Sequence, residues 1–232
     1  MNSTIFREYD IRGLVPQELN PETMGLIGKA FGTHLRSLNL KTISVGGDVR
    51  THTRGLMDAF IAAVNSTGID VIDIGFVTSP LCYFSAFHLP VDGLAMITAS
   101  HNPKQYNGVK LGVGKTTMFG SDITHIRDLA IKGQFATGAG KTVKQDITED
   151  YIAYLATKFK FSRKIKMVLD PANATGALFA KRVFERVGAD VGAIMDAVDA
   201  AVSRGNEEGA EVSSEDVTFN LANDVLDATS FL

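Results

Sequence analysis

A single cysteine, Cys82, stands among the 232 residues, so an internal disulfide is excluded. It sits in the apolar stretch "SPLCYFSAF", which predicts a buried thiol rather than a nucleophile. No apolar run approaches the roughly 20 residues that cross a bilayer. The first residues, "MNSTIFREYDIRG", are charged within ten positions, unlike a signal peptide. Net charge is -3, without the basic excess of a nucleic-acid binder. The expectation is a cytoplasmic protein with neither a membrane nor a nucleic acid as partner. Lysine and arginine also stop at Arg204, after which seven acids follow. Residues 1–204 therefore hold nineteen acids against twenty-three bases, a net of +4. A mildly basic body with an acidic tail suits an anionic small ligand and also lies within normal scatter.

What is present is ordinary for a globular chain: 45% hydrophobic and 21% charged residues, long enough to bury a sizeable core. Apolar residues at helical spacing (Met24, Ile27, Phe31, Leu35), a start signal "NPET" and an early proline predict a helix over 21–37. "KTISVGGD" reads as a strand, "RGLMDAFIAAVNSTG" as a helix, "IDVIDIG" as a strand and "SPLCYFSAFHL" as a helix opening with Pro80. "DGLAMIT" is a strand, "SDITHIRDLAIKG" a helix and "GQFATGAGK" a loop. "DITEDYIAYLATKF" is a helix bridging to a second set: strand "KIKMVLD", loop "PANATG", helix "ALFAKRVFERVG" and a possible strand "ADVGAIMD". Alternating strands and helices predict an α/β fold. The form expected is a three-layer α/β/α domain with a mixed, largely parallel sheet over 1–145. A partial second α/β domain of similar plan follows over 146–200, then an acidic tail, 201–232, with a short amphipathic helix around Val217, Leu221 and Val225. The intervals Asp48–Gly68 and Asp170–Gly188 are alike; duplication and the general plan of any βαβ unit both account for that.

"TASHNP", Thr98–Pro103, follows a buried strand and is followed by an apolar patch containing Lys110. In parallel α/β sheets the carboxyl edge is where ligands lie. Ser100 beside His101, with Lys110 close in sequence, fits a hydroxyl that takes part in group transfer. A turn with a solvated lysine fits the same residues. Arg12, Arg50 and Arg54 lie on glycine-flanked loops, suited to phosphate or to pairing with a local aspartate, Asp10 or Asp48.

Together "FREYDIRG" (Phe6–Gly13), "GGDVR" (Gly46–Arg50), "TASHNP" and "NGVK" (Asn107–Lys110) resemble the first domain of the α-D-phosphohexomutases, which include phosphomannomutases and phosphoglucomutases. "VLDPANATGA" (Val168–Ala177) is similar to the opening of that family's second domain. The resemblance implies an isomerase of carbohydrate metabolism in which Ser100 carries a phosphoryl group to and from a hexose phosphate. Arg12, Lys110 and His101 match the residues beside the phosphoserine. Arg50, Thr98 and Asn102 are the expected phosphate or substrate contacts. The family also implies Mg²⁺, which Ser100 would meet only through its phosphate, and glucose or mannose 1,6-bisphosphate as activator.

The resemblance fades near Gly192. No two aspartates stand two apart, so the family's three-carboxylate metal loop is absent, and the loops that read the sugar and its distal phosphate are unmatched. The expectation is a chain holding the phosphoserine half only, weak or inactive alone, completed by a second copy or a companion chain. A non-catalytic phosphosugar-binding or interaction protein is the alternative, and a truncated product with an unrelated tail a third. An incomplete second domain is expected to expose an apolar face unless the tail covers it.

Overall fold

The computed structural model describes residues 1–172 and 174–193. The tail 201–232 and its expected helix lie outside the described residues. The chain divides into a compact unit, Met1–Tyr151, and a second unit that starts at Ile152.

The first unit contains β1 (Ile11–Leu14), α1 (Pro21–Ser37), β2 (Thr42–Gly47), α2 (Thr53–Asn65), β3 (Asp70–Phe76), α3 (Ser79–His88), β4 (Gly93–Ile97), β5 (Tyr106–Val113), β6 (Thr116–Thr117), α4 (Ser121–Lys132) and β7 (Thr142–Lys144). A further helix, α5 (Thr148–Lys158), straddles the division. The start of α1 follows from its sequence. Asn20 accepts the Thr23 N–H at 2.9 Å, and Pro21 has no N–H to leave unpaired in the first turn.

Seven strands form one sheet in the order β1-β5-β4-β2-β3-β7, with β6 added beside β5. Strands β2, β3, β4 and β7 pair in parallel, while β5 is antiparallel to β4, to β1 and to β6. It follows that β5 alone runs against the rest. The sheet is thus mixed and largely parallel, in an α/β fold.

Period-two alternation sorts the strand residues into two layers. Ile43, Val45, Ala95, Ile97, Val109 and Leu111 join one core with Met24, Ile27 and Phe31 of α1, Leu56 and Phe60 of α2, and Ile123 and Ile126 of α4. The alternate residue Ser44 faces α3 instead, its hydroxyl 2.6 Å from that of Ser85. Leu81, Cys82 and Ala86 of α3 are buried there, as are Leu94 and Met96 of β4. Burial lifts the Cys82 thiol to about 12.

Three short strands, β1, β6 and β7, were not expected from the sequence, and β5 is longer than its apolar patch. Strand β1 carries Arg12 and Gly13 between Ile11 and Leu14, and β6 and β7 are exposed along their length, so none shows an apolar run.

In the second unit β8 (Ile165–Leu169) and β9 (Ala189–Ala193) pair in parallel around α6 (Ala180–Arg186). The helix expected over "ALFAKRVFERVG" is split into a 3-10 turn, Thr175–Leu178, and α6, because Phe179 leaves helical geometry at φ -152°. Both βαβ units end their helix region on a left-handed glycine, Gly68 (φ +89°) and Gly188 (φ +105°), just before the returning strand.

Candidate functional site

Strand β4 ends at Ile97 and the chain returns as β5 at Tyr106, so Thr98–Gln105 form a loop at the carboxyl edge of β4. The Asp48 N–H donates to the Ile97 carbonyl at 3.0 Å, which sets the end of β2 beside that loop. On the other side β5 carries Lys110 opposite Met96, and Gly108 opposite Arg12 of β1. Gly108 is needed here. A Cβ would overlap the Ile11 carbonyl oxygen and come within 3.0 Å of both the Thr98 oxygen and Arg12 Cγ. The glycine therefore lets β1 and the start of the loop close on β5 together.

Ser100 is exposed and adopts φ +56°, the left-handed region, which costs a non-glycine residue about 1–3 kcal/mol. Its N–H donates to Thr98 Oγ1 at 2.9 Å, and its hydroxyl lies 3.1 Å from His101 Nδ1. The strained turn lifts the hydroxyl out of the sheet edge into solvent.

Behind this turn lies an ion cluster. Asp10 Oδ2 accepts from Arg12 Nε at 2.8 Å, Arg12 Nη2 at 2.7 Å and Lys110 Nζ at 2.9 Å. Burial by itself would raise the Asp10 carboxyl. Hydrogen bonds and charge from Arg12 and Lys110 together outweigh it and hold the group below its ordinary value. Two cations against one carboxylate leave the cluster at +1. The remaining Arg12 nitrogen, Nη1, donates to the Ala99 carbonyl at 2.8 Å, one residue before Ser100.

A second network holds the loop from the β2 side. Asp48 Oδ2 accepts from Thr98 Oγ1 at 2.7 Å and from Arg50 Nε at 3.2 Å. Its Oδ1 accepts from Thr53 Oγ1 at 2.6 Å and from the Arg50 N–H at 3.1 Å. Asn107 donates to Thr53 Oγ1 and to His52 Nδ1, both at 2.9 Å. His52 Nε2 then faces the Lys104 carbonyl at 3.1 Å.

Of the residues singled out from the sequence, Arg12, Arg50, Thr98, Ser100, His101, Asn102 and Lys110 belong to this connected assembly, and Arg54 does not. They do not have one kind of surroundings. Ser100 and His101 face solvent. Thr98 is spent on Asp48 and on the Ser100 N–H, Asn102 donates to the Ala99 carbonyl at 2.9 Å, and Arg50 is taken up by Asp48 and by carbonyls of the loop after β4. Both arginines pair with the aspartate two residues before them. Arg54 turns to Asp58 and Asp73 on α2 and β3 and takes no part. Sequence reasoning gave no role to Thr53, His52 or Asn107; the Asn in "NGVK" was in view, but its partners lie on a different strand–helix connection.

Asp10 and Asp48, carboxylates of the assembly, are already engaged by cations and hydroxyls and offer no free pair of oxygens to Mg²⁺. Among the described residues no three His, Cys, Asp or Glu side chains converge as a metal site. No described helix is long and apolar enough to cross a membrane.

Residues 3–137 match the family model for phosphoglucomutase/phosphomannomutase, alpha/beta/alpha domain I. A phosphomannomutase/phosphoglucomutase of Pseudomonas syringae pv. tomato is 32% identical over 196 residues, covering 84% of this chain and 42% of that protein. A phosphomannomutase of Salmonella montevideo is 46% identical over 110 residues, 47% of this chain and 24% of its own length. The crystal structure of a phosphoglucomutase/phosphomannomutase family protein from Burkholderia thailandensis superposes with a TM-score of 0.80 at 29% identity, over 83% of this chain and 44% of the other. The chain thus spans less than half the length of these relatives.

Proposed function

The chain belongs to the phosphoglucomutase/phosphomannomutase family, and from that membership we propose that Ser100 is the phosphoryl carrier of a hexose-phosphate mutase reaction. One observation carries this reading: an exposed serine hydroxyl on a left-handed turn, backed by the +1 cluster of Arg12, Asp10 and Lys110.

In the proposed half-reaction a sugar hydroxyl attacks the phosphorus on Ser100. The Ser100 Oγ–P bond breaks as the new O–P bond forms, the proton of the sugar hydroxyl passes to solvent, and one proton is returned to the serine oxygen. His101 Nδ1, within hydrogen-bond distance of Ser100 Oγ, is the group placed to protonate the departing serine oxygen. Phosphate on Ser100 adds about two negative charges. Arg12 and Lys110 offset them, and Asp10 keeps both cations in place. Such transfer depends on positioning and charge more than on covalent help. Arg50, Thr98 and Asn102 enter this reading as the groups that shape the turn rather than as direct ligands of phosphate.

The named relatives are mutases, which favours this reading over a non-catalytic phosphosugar binder. The test is to incubate the full chain with glucose 1,6-bisphosphate or mannose 1,6-bisphosphate and follow its intact mass. Gain of one phosphoryl group, lost in Ser100→Ala, supports the carrier. Phosphate that never appears, or that appears equally in Ser100→Ala, rejects it. Removing one charged or hydrogen-bonding group at such a site lowers the rate by about 10²–10³; Lys110→Ala is expected to fall in that range.

A further inference from the structure

A guanidinium has five N–H donors in a fixed plane. In Arg50 every one has an oxygen to meet. Nε donates to Asp48 Oδ2 at 3.2 Å; Nη1 to the carbonyls of Pro103 at 2.9 Å and Tyr106 at 3.3 Å; Nη2 to those of Asn102 at 2.7 Å and Ser100 at 3.2 Å. Four of the five acceptors are main-chain oxygens of the loop after β4 and of Tyr106, which opens β5. The loop has curled round the guanidinium, which gives these carbonyls donors; that of Pro103 also accepts the Tyr106 N–H at 3.0 Å.

The position of Ser100 in this arrangement is specific. Arg12 holds the carbonyl before it, Ala99, and Arg50 holds its own carbonyl. The two peptide groups flanking the strained φ are thus each fixed by a cation. Asp48 in turn fixes Arg50 and, through Thr98, the acceptor for the Ser100 N–H.

We infer that Arg50 is a positioning residue: it moulds the Thr98–Tyr106 turn and so sets the direction of the Ser100 hydroxyl, without contacting substrate itself. Its bearing on phosphoryl transfer rests on the reading of Ser100 given above; its bearing on the loop does not. A lysine cannot replace it. An ammonium is a point charge with three donors on a flexible stem and cannot reach five oxygens spread round a plane.

The experiment uses the full chain as wild type, Arg50→Ala, Arg50→Lys and, should the alanine variant fail to fold, Arg50→Gln. Two quantities are followed: amide hydrogen exchange of residues 99–106 against that of β2 and β4, and the rate at which Ser100 takes phosphate from glucose 1,6-bisphosphate. Exchange in the loop is expected to rise at least about tenfold in Arg50→Ala and Arg50→Lys while β2 and β4 keep wild-type protection. Phosphate uptake is expected to fall by about 10²-fold, the cost of misplacing a reacting group by an ångström. Methylguanidinium in the millimolar range is expected to restore part of the uptake in Arg50→Ala, which a general loss of stability would not allow. Wild-type loop exchange in Arg50→Ala overturns the inference, as does a loosened loop that takes phosphate at the wild-type rate. If wild type takes no phosphate, the carrier reading fails, and the exchange data alone decide: a loosened loop sustains Arg50 as its mould and an unchanged one overturns it.

Discussion

Lys110 Nζ lies 2.9 Å from the same Asp10 oxygen that receives Nε and Nη2 of Arg12. One carboxylate thus stands between two cations that would otherwise repel each other at the sheet edge. Asp10 keeps only 9% of its side-chain surface, so its charge is poorly compensated by water.

Asp10→Asn is expected to destabilise the first unit by about 2 kcal/mol, less than the 3–5 of a fully buried pair because Arg12 and Lys110 keep some solvent. The pH dependence has a definite sign. The carboxyl is lowered in the folded state, so the unfolded chain binds its proton first as pH falls. The stabilisation is whole above the ordinary carboxylate value and fades as pH drops through the lowered one. Urea unfolding between pH 3 and 7 checks this: the variant should show a shallower loss in acid, and an identical acid slope would remove Asp10 from the account.

Gly108→Ala is expected to cost more than about 3 kcal/mol, because the clash is with backbone of β1 and the loop that cannot rotate away. Gly55, in the first turn of α2 with nothing within 4 Å of its Cβ position, makes the contrast. There alanine should add up to about 1 kcal/mol. Thermal unfolding of both variants separates a local steric need from a general intolerance of alanine.

His34 of α1 sits edge-on to His125 of α4, ring centroids 5.2 Å apart, and its Nδ1 is enclosed without a hydrogen-bond partner among the described residues. Burial, then repulsion from His125, lowers its pKa, with Asp122 opposing. A base lowered on folding is protonated first in the unfolded chain. Stability should therefore decline as pH falls below the ordinary histidine value of 6.5 and level off beneath the lowered one. His34→Gln should flatten that decline; a variant that follows the wild-type curve between pH 7 and 5 speaks against it.

Cys82, fully enclosed on the buried face of α3 and raised to about 12, should resist thiol reagents at pH 8 in the folded protein and react once urea unfolds it. Rapid labelling of the native chain would show the thiol to be reachable after all.

Helix α1 is legible in the sequence because its signals are local: Asn20 and Pro21 at the start, and Met24, Ile27, Phe31 and Leu35 on one face. The buried thiol of Cys82 was legible for the same reason. Strand β1 was not, since its four residues become a strand only through pairing with β5. Nor was the split before α6, which depends on the backbone of Phe179. In the site, Ser100, His101, Arg12 and Lys110 were found through motifs. The surroundings of Arg50 were hidden for a physical reason: four of its five partners are carbonyl oxygens, which every residue possesses and no sequence displays.

Because β5 is the one reversed strand, and lies between β1 and β4, the ion cluster joins residues one hundred positions apart. No shorter segment of the polypeptide can rehearse it. During synthesis the Asp10 carboxylate must wait, with Arg12 as its sole companion, until Lys110 has emerged and the last inner strand has slotted in. The centre is thus complete only once residue 110 is in place, and a nascent chain halted before that strand carries the serine but not its full complement of positive charge.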